Sequence, residues 1–122
     1  KEYAAKHGIG IITFCPLAQG LLTDRYLNGI PTDSRIRTDG RFLKENAVSE
    51  ETLEKVRALN ALAKERGQTL AQMALAWILR DKDITSVLIG ASKPAQILDN
   101  VGMLSNLQFD AVQRERIDRI LV

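Results

Sequence analysis

Apolar positions along the chain fall into two kinds of run. Two runs are short, nearly continuous and rich in β-branched residues: Ile9–Phe14 (IGIITF) and Ile84–Ile89 (ITSVLI). A strand with one wet face alternates apolar and polar positions, so these runs predict strands buried on both faces of a parallel sheet. The other apolar positions recur at helical spacing. Leu53, Val56, Leu59, Leu62 and Ala63 predict a helix with Ser49 as N-cap, Glu50 and Glu51 in its first turn, and Gly67 as its stop. Thr69 and Gln72 have the form of a capping box for the next helix, striped by Leu70, Met73, Ala74, Trp77 and Ile78, with Trp77 in the core. Asp110 and Gln113 repeat the box before a last helix striped by Val112, Ile117, Ile120 and Leu121. Residues 1–7 predict the tail of a helix closed by Gly8, with Lys6 and the solvated His7 near its negative end.

The order is helix end, strand, long loop, two helices, strand, helix, helix. A helical crossover between the strands makes them parallel, and the class is α/β. Two strands cannot protect each other on both faces, so each is expected to need neighbours that this sequence does not supply. The chain also begins at Lys1, within a helix tail, rather than at methionine. It is therefore expected to be part of a larger fold.

Two stretches carry candidate chemistry, and both follow a strand. After Ile84–Ile89, Gly90-Ala91-Ser92 breaks the run, and Lys93-Pro94 opens a helix extending to about Met103. Small residues at a helix start let backbone N–H groups converge on an anion. Ser92 is the expected N-cap, Pro94 suits the first turn, and Lys93 adds a positive charge. The turn reads as a phosphate site, although parallel α/β proteins use the same strand–glycine–helix crossing for purely structural ends. After Ile9–Phe14, Cys15-Pro16 ends the strand and Leu17–Thr23 forms a loop at its carboxyl end, where α/β folds place ligands. From about 24 to 48 regular patterning lapses. Asn28-Gly29, Pro31 and Asp39-Gly40 mark turns, and Arg25, Arg35, Arg37 and Arg41 suit either a flap over an anion or an ordinary solvated loop.

Composition narrows the classes. The chain of 122 residues is 45% hydrophobic and 26% charged, an ordered globular balance. A net charge of +2, without Lys/Arg clusters interleaved with aromatics, argues against a nucleic-acid partner. Its one cysteine, Cys15, cannot form an internal disulfide, which suits a reducing, cytoplasmic setting. No apolar run approaches the ~20 residues of a membrane span, so no membrane partner is expected.

Phe14-Cys15-Pro16-Leu17-Ala18-Gln19-Gly20-Leu21-Leu22-Thr23, with Gly29-Ile30-Pro31 and Ser34-Arg35 beyond, resembles the seventh-strand loop of the aldo-keto reductases. Ile89-Gly90-Ala91-Ser92-Lys93-Pro94, with Gln96 and Asp99-Asn100, is similar to their eighth-strand turn, and Ala71–Trp77 to the helix between. The nearest branch is that of the bacterial L-glyceraldehyde 3-phosphate reductases, which also holds the β subunits of voltage-gated potassium channels. The resemblance implies that residues 1–122 are the C-terminal portion of a (β/α)8 TIM barrel. They would span about its last two strands and their helices, since a whole barrel takes about 250 residues.

The resemblance also implies roles. Phe14 would stack on a nicotinamide, and Cys15, Pro16, Leu17, Ala18, Gln19 and Gly20 would line its ribose and pyrophosphate. Arg25 and Arg35 would close a flap over the phosphates. Gly90, Ser92, Lys93, Gln96, Asp99 and Asn100 would hold the adenosine 2′-phosphate and adenine. A dianionic phosphate calls for the hydroxyl and cation of Ser92 and Lys93, which favours NADP over NAD. Relatives often carry serine at Cys15 and Gly-Lys at Asp24-Arg25, which weakens the implied loop and flap contacts. The implied reaction is hydride transfer from NADPH to a small aldehyde. The family's Asp, Tyr, Lys and His tetrad has no counterpart in Tyr3, Tyr26 or His7, so no catalytic and no metal-binding residue is expected here. The alternative implied by the channel branch is an NADP-binding regulatory subunit. Homo-oligomer formation is left open.

Overall fold

A computed structural model describes residues 1–14 and 49–122. Cys15, Pro16, Leu17, Ala18, Gln19, Gly20, Arg25, Arg35 and the segment 24–48 lie outside the described residues.

The first helix, α1 (Glu2–Lys6), ends at Gly8, whose φ of 65° needs no Cβ. There the Ile9 N–H donates to Ala4 O and the Gly8 N–H to Ala5 O, a Schellman closure. His7 lies outside any candidate site: its ring stacks on Tyr3 and its Nδ1 lies 2.9 Å from Tyr3 O.

Strands β1 (Ile12–Phe14) and β2 (Ser86–Leu88) are parallel neighbours, pairing Ile12 with Ser86, Thr13 with Val87 and Phe14 with Leu88. Ahead of β1, Ile11 O accepts from the Thr85 N–H at 2.9 Å, and Ile11 N–H donates to Thr85 Oγ1 at 3.0 Å. Gly10 permits this approach, because a Cβ there would stand 3.0 Å from the same hydroxyl. The parallel pairing matches the expectation from sequence, but burial on both faces does not. Thr13 and Val87 are half-buried, whereas Ile12, Phe14 and Leu88 on the other side are 70%, 75% and 63% exposed. No element among the described residues covers that side. Inward side chains of a barrel are covered only by strands across its interior, which two strands cannot provide.

The crossover contains α2 (Glu50–Glu65) and α3 (Leu70–Leu79). Ser49 caps α2 through Thr52 N–H, and Gly67, at φ 70°, ends it in a second Schellman closure. Thr69 and Gln72 form the expected capping box of α3. Beyond β2 come α4 (Pro94–Val101), a 3-10 turn (Gly102–Ser105) and α5 (Ala111–Leu121), the last opened by the Asp110–Gln113 box. The α-helix after β2 thus stops at Val101, and tighter turns carry the chain past Met103.

Val56, Leu59, Leu62 and Ala63 of α2 pack with Leu70, Met73 and Ala76 of α3, Phe109, and Ile117 of α5. Trp77 meets this core edge-to-face on Phe109, 5.1 Å between centroids. Helix α3 departs from a single stripe. It also contacts β2, α4 and the 3-10 turn, and Ala71 and Leu75, outside the helical cluster, are buried as well. Ala74, Trp77 and Ile78 are only half-buried; with Leu59, Ile117 and Leu121 they line an open apolar cleft of about 130 Å³. In α5 only Ile117 of the expected stripe is buried, while Val112 and Leu121 are exposed.

Arg66 ties these pieces together. Its guanidinium lies 3.8 Å over the Phe109 ring and donates to Gln68 Oε1, Gln108 O, Gln113 Oε1 and Asn106 O. Burial lowers its pKa from the ordinary guanidinium value, and the Asp110 carboxylate opposes that. No helix among the described residues is long and apolar enough to cross a membrane.

Candidate functional site: the turn after β2

Leu88 ends β2, and six residues later the chain enters α4 at Pro94. The N-cap is Lys93, at φ −138° and ψ 143°, rather than Ser92. Pro94 at the first helical position fixes φ and lacks only an N–H that would have no intrahelical partner. Lysine has no acceptor with which to cap a helix, so Gln96 does so from inside. Its Oε1 accepts from the Ser92 N–H at 2.8 Å, the Lys93 N–H at 3.3 Å and the Ser92 hydroxyl at 3.3 Å. Ser92 therefore contributes donors to the turn instead of an acceptor to the cap.

That arrangement tests the fit of an anion. Three donors converge on one oxygen, which is the geometry a phosphate oxygen would require. Ser92 and Lys93 are exposed, so the donors and the ammonium are reachable from solvent. Gln96 Oε1 holds the donors here, and an entering anion would have to take them over. Gly90 leaves space as well: among the described residues, a Cβ there would meet nothing within 4 Å.

Asp99 and Asn100, at the other end of α4, are placed differently. Asp99 Oδ2 accepts from the Thr69 hydroxyl at 3.1 Å, and its backbone carbonyl accepts from Gln72 Nε2 at 2.7 Å. Asn100 is 4% exposed. Phe14 stands at the carboxyl end of β1, paired in register with Leu88, two residues before Gly90. Both strands thus run out on the same end of the sheet as the turn. Sequence reasoning read Thr69 and Gln72 only as a cap. Their reach to Asp99 crosses 30 and 27 residues, and no local pattern signals it.

Among the described residues no group of His, Cys, Asp and Glu could hold a metal ion. The family model for the aldo/keto reductases matches residues 1–122. The chain belongs to that family. It is 50% identical over 116 residues to L-glyceraldehyde 3-phosphate reductase of Escherichia coli K12, covering 93% of this chain and 34% of the relative. The protein of the same name in Escherichia coli O157:H7 is 49% identical over the same shares. A solved glycerol dehydrogenase from Gluconobacter oxydans superposes with a TM-score of 0.74 at 27% identity, covering 98% of this chain and 36% of the other. The chain spans about a third of the length of these relatives. The two-stranded parallel sheet with one open side is consistent with a partial barrel.

Proposed function

We propose that the protein carrying this chain is an NADP-dependent oxidoreductase that reduces small aldehydes, of the glyceraldehyde 3-phosphate or methylglyoxal kind, by hydride transfer. The observation that carries the cofactor reading is the convergence of Ser92 N–H, Ser92 Oγ and Lys93 N–H on one point, in a turn that also carries the exposed Lys93 side chain. A helix start with a hydroxyl and a cation suits a dianionic 2′-phosphate, whereas an acidic residue at the turn would suit a free ribose hydroxyl. NADPH, when bound, supplies the hydride. This chain's share is to hold and orient it. Ser92, Lys93 and Gln96 would face the 2′-phosphate, with Gly90 leaving room and Asp99 and Asn100 on the adenine side. Phe14 would offer an aromatic face at the strand end. Cys15, Pro16, Leu17, Ala18, Gln19 and Gly20, with Arg25 and Arg35, would extend the site along the ribose and pyrophosphate. Sequence similarity to the Escherichia coli L-glyceraldehyde 3-phosphate reductases favours a phosphorylated or similarly small aldehyde as substrate. We place the protein in the cytoplasm.

The test is a fluorescence titration of the intact protein with NADPH and NADH, repeated on Lys93→Glu. NADPH should bind much more tightly than NADH, and the variant should erase that preference. Equal binding of the two nucleotides by the unmodified protein refutes the 2′-phosphate assignment.

A further inference from the structure

The capping box of α3 holds a second helix besides its own. Gln72 Oε1 accepts from the Thr69 N–H at 3.0 Å, which fixes the orientation of the amide and leaves Nε2 for α4. There Nε2 donates to Asp99 O at 2.7 Å and, more weakly, to Asp99 Oδ1 at 3.4 Å. The Thr69 hydroxyl accepts from the Gln72 N–H and gives its one proton to Asp99 Oδ2. Asp99 O, in the last turn of α4, also accepts a backbone N–H at the C-cap of that helix, so the Gln72 amide is a second donor to it. One amide thus serves the start of α3 and the end of α4. Gly102 is matched to this contact, because a Cβ there would collide with Gln72 Nε2.

Little else fixes α4. Of its eight residues only Asn100 is buried, while Ile97, Leu98 and Val101 are exposed, so apolar packing among the described residues holds it weakly. A helix is stiff, and Lys93 lies six residues, roughly 9 Å, from Asp99 along it. A displacement at Asp99 therefore carries through to the turn.

We propose that Thr69 and Gln72 are positioning residues for the cofactor pocket: by gripping Asp99 they set α4, and with it Ser92 and Lys93, against the adenosine 2′-phosphate. The inference rests on the NADP reading above. Neither residue touches the cofactor. Their effect should therefore appear in the discrimination between nucleotides rather than in folding alone.

The experiment measures NADPH and NADH dissociation constants, by fluorescence titration of the intact protein, for Gln72→Glu, Thr69→Val, Thr69→Ser and Lys93→Glu. Gln72→Glu keeps an acceptor for the Thr69 N–H but loses the donor to Asp99 O and sets a carboxylate against the Asp99 carboxylate. Thr69→Val removes the hydroxyl without changing shape, and Thr69→Ser restores it. The preference for NADPH should fall by roughly tenfold in Gln72→Glu and several-fold in Thr69→Val, as expected for a lost hydrogen bond to a charged group, and return in Thr69→Ser. A merely structural role would lower the melting temperature and weaken both nucleotides alike. If Gln72→Glu fails to fold, the valine and serine variants decide the question. An unmoved preference in Gln72→Glu and Thr69→Val, with Lys93→Glu abolishing it, overturns the positioning role and leaves the cofactor reading standing. An unmoved preference in Lys93→Glu overturns the reading beneath it, and the inference falls too.

Discussion

Arg66 is the residue whose loss should cost the helical layer most. Three of its hydrogen bonds are part-buried: to Gln68 Oε1 at 3.0 Å, Gln113 Oε1 at 2.7 Å and Asn106 O at 3.2 Å. The fourth, to Gln108 O, is exposed, and its acceptor can turn to water. Counting about 1 kcal/mol for each part-buried bond and nothing for the exposed one gives roughly 3 kcal/mol. Stacking over Phe109 adds about 0.5–1 kcal/mol, most of which a methionine stem would recover by covering the same ring. Arg66→Met should therefore destabilise the protein by about 3 kcal/mol. Arg66→Lys should recover less than half of that, since an ammonium cannot reach four acceptors on separate segments. Urea denaturation followed by tryptophan fluorescence reads the loss, because Trp77 packs on Phe109. Hydrogen exchange should then show amides 106–113 opening first. A shift within about 0.5 kcal/mol, the scatter of ordinary surface substitutions, would show that water replaces the guanidinium and would refute the reasoning.

Other expectations are simpler to state. Gln96→Glu puts a carboxylate at the point where three donors converge, which should strengthen the start of α4 while repelling a 2′-phosphate. The melting temperature should hold or rise as NADPH affinity drops about tenfold, and unchanged affinity would place the phosphate elsewhere. The Glu65 carboxyl is held below its ordinary value mainly by the hydrogen bond from Arg116, against slight desolvation and with the Arg116 charge adding to it. A carboxyl depressed in the folded state stabilises above its unfolded pKa, and that contribution disappears as pH falls through the folded value. Arg116→Ala should accordingly flatten the acid limb of a urea-midpoint-versus-pH curve, and an unaltered limb would assign it to other carboxylates such as Asp81. That group is lowered mainly by its hydrogen bond from Arg114.

Sequence by itself determined what depends on neighbours within a few residues. Ser49, Thr69 and Asp110 sit where helices α2, α3 and α5 begin, because a cap is a contact across two or three positions. Gly8 and Gly67 end helices because both occupy backbone conformations at positive φ. Turn chemistry at Gly90–Pro94, and the family resemblance built on it, belongs to the same local class. Where sequence misjudged the turn, at the N-cap, the reason was competition. Gln96 lies at the distance from which an amide can collect the Ser92 and Lys93 donors, and it displaced the serine from that role.

Tertiary structure decided what depends on distant partners. It exposed Ile12, Phe14 and Leu88, whose apolar side chains in short, nearly continuous apolar runs read as fully buried although nothing among the described residues covers them. It gave α3 two buried sides, because that helix lies against the α2–α5 layer and also against β2 and α4. It joined Arg66 to residues 106–113 and Gln72 to Asp99, contacts spanning 27 to 47 residues. Polar side chains follow no hydrophobic period, so their long-range partners leave no trace in the pattern. Only the folded chain, by bringing the end of α4 against the start of α3, turned a local cap into a link to the candidate site.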